Sequence, residues 1–428
     1  VDTALEILRH YGTAAVRLLS QPFYYFALLL IILSYIRQTR TERKLFHVRL
    51  HAWPKLLGRA VWSGLLAGAA LSAGAAFIGM SLTPSAALWL WGTAALLMLV
   101  RVRYLCFAYS AGVLGLLQWL SGLLGLPDGT GGWLGRAALS LENLDIPGLL
   151  LLVAGLHAAE ALLVRRDGAR FSSPLFLEGK RGKLIGGYAL QGYWPVPLLL
   201  LVPSASAAAS LPWTPLLGGS AWEGGWTVIA LPAIIGFTDL TRSELPKLQA
   251  RLTSRRLLAY SAVLAAAALG AAYAQPLVPA AALLSLGLHE ALIVLGSMRE
   301  RQRQPRFVHD ERGLCILGVV PGTPAEEMGI EAGEVLHKVN GKKVRTKEDL
   351  HAALHMNSAF CRMEVFNADG QLKFLQRARY AGEHHQLGVL LAPDEDAGYY
   401  AAPAHVSVLG LLRRSRAARR RVRKDTTM

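Results

Sequence analysis

Cysteine and charge are both scarce in this chain. Three cysteines stand among 428 residues, Cys106, Cys315 and Cys361, and no two share a Cys-x-x-Cys spacing. That excludes the common zinc-ribbon and dithiol motifs and leaves three free, mostly buried thiols as the expectation. Charged residues reach only 17% against 53% hydrophobic, well away from the balance of a soluble domain. Acidic residues are the scarcer sign, 29 against 45 Lys and Arg, giving a net charge of +16. Also lacking is a helix with two histidines four apart and a glutamate beside the first, the pattern that aims two ligands and a base at one catalytic zinc. His289-Glu290 begins such a pattern, but Ile293 occupies the second histidine position; four residues after His157 stands Ala161. No catalytic residue, metal or cofactor is assigned, and the expectation is a protein that is not an enzyme.

What is abundant is apolar run length. Stretches near the ~20 residues that a hydrocarbon core requires begin close to Pro22, Ala60, Leu82, Tyr104, Pro147, Tyr188, Trp226, Leu257 and Pro276. The sequence therefore predicts a polytopic α-helical membrane domain of about eight or nine spans over residues 22–298. Its sixth and seventh spans are broken by Pro195, Pro197 and Pro232, which leaves a transporter with broken helices as an alternative. Residues 1–21 mix Leu5, Leu8 and Leu18 with Arg9 and Arg17, a pattern that suits an amphipathic helix lying in the interface rather than a secretory signal.

Basic residues orient the chain, since cytoplasmic loops retain Lys and Arg. They concentrate in alternate loops, at 37–59, 101–103, 165–183, 242–256 and 299–306, whereas the opposite loops hold only Arg136. This phasing places everything after Met298 in the cytoplasm. It also accounts for most of the positive charge without a nucleic-acid partner. A further basic run, Arg413 through Arg423 and Lys424, lies in a tail over 395–428 that reads as disordered or as a contact for anionic lipid.

Two apolar segments share a signature, Gly-Leu-His followed by glutamate: His157 with Glu160, and His289 with Glu290. Ionisable groups inside a bilayer are costly and mark a functional hypothesis. His157 and Glu160 are three apart, on one helix face. The four form a candidate intramembrane polar network that binds an ion, relays a proton or ties helices together. In the last case Glu160 pairs with arginine and the histidines bond across helices.

After about residue 306 the periodicity changes to short strands and turns. Leu314, Ile316 and Val319 read as one strand, 323–328 as a short helix, 335–339 as a strand, 346–356 as an amphipathic helix, and 361–366 with 371–377 as a hairpin around Asp369-Gly370. The segments Val320-Pro-Gly-Thr-Pro-Ala325, Gly329-Ile-Glu-Ala-Gly-Glu334 and Val339-Asn-Gly341 stand in the order found in bacterial PDZ domains, and 306–394 resembles that small α+β module. Such domains bind a peptide as an added strand, with loop amides holding its terminal carboxylate. The resemblance offers two loops, 313–316 and 386–390, and favours the second. The peptide-binding residues it implies are Leu387, Gly388 and Val389, with Leu350, Ala353 and Leu354 on the facing helix.

With a basic segment after the first span (40–47), the His157/Glu160 unit and one C-terminal PDZ-like module, the whole chain resembles the MinJ family of division-topology proteins of Gram-positive rods. That resemblance implies a membrane adaptor, at poles and septum, between DivIVA and the MinC/MinD inhibitor. A membrane scaffold in secretion or envelope regulation, or a transporter regulated by its PDZ domain, is the alternative.

Overall fold

The fold is that of a computed structural model, which describes residues 2–80, 82–126, 132–204, 211–217, 222, 225–357, 359–378 and 387–394. The basic tail from 395 onward, Gln386 and the Gly218-Gly-Ser220 loop lie outside the described residues. Helices come first: α1 (Asp2–Leu19), α2 (Pro22–Phe46), α3 (Trp53–Ile78), α4 (Pro84–Val100), α5 (Phe107–Leu123), α6 (Gly132–Glu142) and α7 (Ile146–Asp167). A three-stranded sheet follows, β1 (Ser172–Glu178), β2 (Leu184–Pro203) and β3 (Trp226–Thr241), then α8 (Pro246–Tyr273) and α9 (Val278–Gln302). Proline opens α2, α3, α4, α7, α8 and α9 within their first two positions, where its missing N–H costs no helical hydrogen bond.

The described residues do not confirm eight or nine helical spans. Among the described residues four helices, Trp53–Ile78, Ile146–Asp167, Pro246–Tyr273 and Gln275–Gln302, are long and apolar enough to cross a membrane, and α1 with α2 makes a fifth if the bent pair is one span. Pro84–Val100 and Phe107–Leu123 are apolar but shorter. The expected sixth and seventh spans are the strands β2 and β3, paired antiparallel from Tyr188↔Thr241 to Pro203↔Trp226. Prolines decide against a helix here, because each removes a helical donor and crowds the preceding turn. In the ladder they are harmless. Pro197 pairs with Pro232, which requires a position where neither residue donates to the other.

That parity turns the N–H groups of Tyr193 and Leu199 away from β3, toward an edge that β1 does not reach. Helices α2 and α3 cover it. The Tyr193 N–H donates to Tyr35 Oη at 3.2 Å, and the Leu199 N–H to Ser72 Oγ at 2.9 Å. Between them, the carbonyls of Pro195 and Pro197 lie against Gly64 and Gly68 of α3. Gly64, Gly68 and Ser72 recur every four residues, a rise of ~6.0 Å; Pro195, Pro197 and Leu199 recur every two, ~6.6 Å. Helix face and strand edge therefore stay in step, and the two N–H groups of that edge find hydroxyl acceptors, as an apolar surrounding demands.

The C-terminal module contains β4 (Leu314–Val319), α10 (Pro324–Glu327), β5 (Val335–Val339), β6 (Lys342–Lys343), α11 (Lys347–His355), β7 (Phe360–Phe366), β8 (Leu372–Ala378) and β9 (Val389–Leu391). Its strands run in the order β8-β7-β5-β4-β9, with β6 on β5. The expected strands and helices all form within a residue or two of their predicted limits. Gly322 and Gly333 take φ +74° and +88° at the turns beside α10, conformations that penalise a Cβ.

Strand β4 has two buried faces. Leu314 and Ile316 enter the module's own core, while Cys315 and Leu317 join the large core of the helix and sheet region, together with Phe307 and Ala392. The Tyr188 hydroxyl donates to the Leu317 carbonyl, and the Gly186 N–H to the Phe307 carbonyl at 2.9 Å. The module is thus docked on β2 through one face of its sheet. Burial also pushes the Cys315 thiol up to about 11, so it stays protonated and unreactive.

Candidate functional sites

Two places bring chemistry together. At the module, β9 ends the sheet. Gly388 O accepts from Val320 N–H at 2.8 Å, and Ala392 N–H donates to Cys315 O at 2.9 Å. Donor and acceptor of one antiparallel residue share a side, so Val389 and Leu391 direct theirs away from β4, toward the side where a strand could add.

Of the expected groove residues, Leu387, Leu350, Ala353 and Leu354 all lie in the module core, with Val389 and Leu391 packed against it. The structure therefore brings loop, strand and helix together, but four of the six serve first as core. Gly388 takes φ +85°, and a Cβ there would fall 2.2 Å from Thr323 Oγ1. The alternative loop at 313–316 runs directly into β4 instead. Helix α11 is held by a capping box, Thr346 accepting from Asp349 N–H at 3.1 Å and Asp349 accepting from Thr346 N–H at 3.2 Å. At the far end Asp394 meets Lys347 Nζ at 2.6 Å and His309 Nε2 at 3.3 Å, joining the end of β9 to the start of α11.

The second place lies in the helix bundle. His157 on α7 and His289 on α9 pack with ring centroids 5.1 Å apart. Cys106, at the start of α5, sits between them, its Sγ 3.4 Å from His157 Nε2 and 3.7 Å from His289 Nε2. Glu160 Oε2 is 3.9 Å from His157 Nε2. The repeated Gly-Leu-His segments thus meet in space. An arginine is expected beside Glu160, but the arginine ion pair of this region is on Glu290: Arg103 contacts Glu290 Oε1, and Tyr109 Oη donates to Glu290 Oε2 at 2.6 Å. Cys106 was not legible as a participant, because nothing in the spacing links a lone cysteine to histidines so distant in the chain.

Comparison with known proteins bears on the whole chain. A PDZ-domain family model matches residues 316–365. The cell division topological determinant MinJ of Bacillus subtilis (strain 168) is 30% identical over 406 residues, covering 92% of this chain and 97% of that protein. The chain belongs to the MinJ family. A probable MinJ of Lacticaseibacillus paracasei is 27% identical over 388 residues, 87% of this chain and 96% of its own. Serine protease HTRA1 of Xenopus tropicalis is 31% identical over only 70 residues, 16% of this chain and 15% of its own. No solved structure matches. MinJ-family membership and the PDZ module agree with a membrane-embedded division protein that carries a peptide-binding domain.

Proposed function

We propose that the chain is a membrane-held adaptor of division-site selection that works by contact rather than catalysis. The observation that carries this is end-to-end similarity to MinJ, a cell division topological determinant, across both the membrane region and the PDZ module. In this reading the module captures a partner segment as an added strand on β9, with Val389 and Leu391 supplying backbone bonds. The partners are DivIVA on one side and MinD with MinC on the other. The module faces the cytoplasm, the hairpin of β2 and β3 takes the place of two helical crossings, and the protein gathers at poles and septum. The basic tail adds contact with anionic lipid.

The test is localisation of a fluorescent fusion in growing rods. The full chain is expected at poles and septa, with MinD foci that disappear when the chain is truncated after Met298. Leu391→Pro removes an outward-facing donor at an edge position that tolerates proline, and is expected to keep the fusion in place while reducing partner recruitment. A uniform membrane signal with normal division in a deletion strain would overturn the reading in favour of a scaffold in another process.

A further inference from the structure

The cluster of Cys106, His157 and His289 has donors close to one point, all within 4.8 Å of one another. Zinc bonds of ~2.3 Å to sulfur and ~2.0–2.1 Å to nitrogen at a tetrahedral angle put sulfur and nitrogen about 3.6 Å apart. The two observed separations, 3.4 and 3.7 Å, fall on either side of that value. His157 is also set up for ligation: its Nδ1 lies 2.8 Å from the Val153 carbonyl, which makes Nδ1–H the donor and turns the Nε2 lone pair toward Cys106.

Hydrogen bonds alone serve this cluster poorly. One S–H can donate to only one of two histidines. The second histidine nitrogen facing Cys106 Sγ is then left with a lone pair and no proton to accept, a place that a cation fills and a hydrogen bond does not. Charge points the same way. A divalent cation held by one thiolate, one carboxylate and two neutral imidazoles is neutral overall, the state that an apolar bundle accommodates at least cost. Tyr109 packs edge-on to His289 and Tyr260 to His157, each at 5.0 Å.

We propose that Cys106, His157 and His289 bind a zinc ion, with Glu160 moving in as fourth ligand to close a structural site. The ligands come from the start of α5, from α7 and from α9, so the ion would staple three helices that the sequence separates widely. With four protein ligands no position remains for a substrate or activated water, which distinguishes the site from a catalytic one. It rests on the side-chain geometry and does not depend on the adaptor reading.

The full chain, purified in detergent with a histidine-free affinity tag, is expected to carry near-stoichiometric zinc by mass spectrometry of the metals. Replacing that zinc with cobalt(II) should give tetrahedral ligand-field bands and a thiolate-to-cobalt charge-transfer band. Cys106→Ser should abolish the charge-transfer band, and His289→Gln should release the metal. If Cys106→Ser does not fold, Cys106→His keeps a ligand there and should retain metal while losing only the charge-transfer band. A chain that is metal-free and takes up no cobalt would overturn the proposal. So would cobalt spectra unchanged by Cys106→Ser or Cys106→His, since the ion would then lie elsewhere.

Discussion

Gly64 of α3 lies so close to the carbonyl of Pro195 on β2 that a Cβ built on it would stand 2.1 Å from that oxygen. Gly68 repeats the relationship with Pro197 at 2.3 Å. Backbone touches backbone at both places, so neither partner has a flexible end that could yield. Gly64→Ala and Gly68→Ala should each cost about 3 kcal/mol, the upper part of the overpacking range. Gly58 and Gly74 of the same helix have nothing within 4 Å, and alanine there should be neutral or stabilise by up to ~1 kcal/mol through helix propensity. Thermal unfolding of the detergent-solubilised chain, compared across the four variants, checks the contrast. Equal shifts at all four would show that α3 does not cover the strand edge.

The same relationship explains what the sequence could and could not reveal. A strand buried on both faces reads as a continuous apolar run, as a membrane helix does, so period alone cannot separate β2 from a span. The separating signals were Pro195, Pro197 and Pro232, yet a broken helix explains three prolines as readily as a hairpin does. The C-terminal module was legible almost residue by residue, because Asn340-Gly341 and Asp369-Gly370 mark turns and the strands between them alternate. Its docking was not, since Cys315 and Leu317 look like ordinary alternate residues of one strand. The two histidine motifs were visible as a repeat, but their meeting around Cys106 depends on helix packing that no local pattern encodes.

Docking of the module rests on few residues. Phe307 is fully buried, packs edge-on to Tyr188 at 5.3 Å, and belongs to the core of the helix and sheet region. Phe307→Ala should cost ~3–5 kcal/mol, and Tyr188→Phe, which removes only the hydroxyl bond to Leu317, ~1 kcal/mol. Hydrogen exchange read on β4 and β9 should rise strongly in the first variant and slightly in the second. Protection unchanged by Phe307→Ala would mean that the module does not depend on the membrane region for its position.

His309 gives the module a dependence on pH. Burial lowers its pKa from 6.5, with Asp394 opposing the shift and Lys347 adding to it. Its Nδ1 accepts from Cys315 N–H at 3.0 Å, so a proton on Nδ1 would face another donor. The unfolded chain therefore binds this proton more readily than the folded one. Its contribution is complete above about pH 6.5 and is lost as pH falls from there through the lowered folded value. Melting temperature followed between about pH 8 and pH 5 should fall more steeply for the natural chain than for His309→Gln. Parallel curves would remove His309 as the cause.

Asn340 ties the β5 turn to the helix expected to wall the peptide groove. It sits at φ +50°, its Nδ2 donates to the Ala353 carbonyl at 2.9 Å, and its Oδ1 accepts from Arg362 N–H at 2.9 Å. Asn340→Ala loses both bonds, each worth ~1 kcal/mol, and places a less tolerant residue in the left-handed region. Asn340→Gly loses the same bonds but relieves the backbone. The expected order of melting temperatures is natural chain, then glycine, then alanine, with a total loss of about 2–3 kcal/mol for alanine. If the glycine variant matched the natural chain, the side-chain bonds to Ala353 of α11 and Arg362 of β7 would contribute nothing, and the position of α11 against β9 would have to come from core packing of Leu350, Ala353 and Leu354 alone.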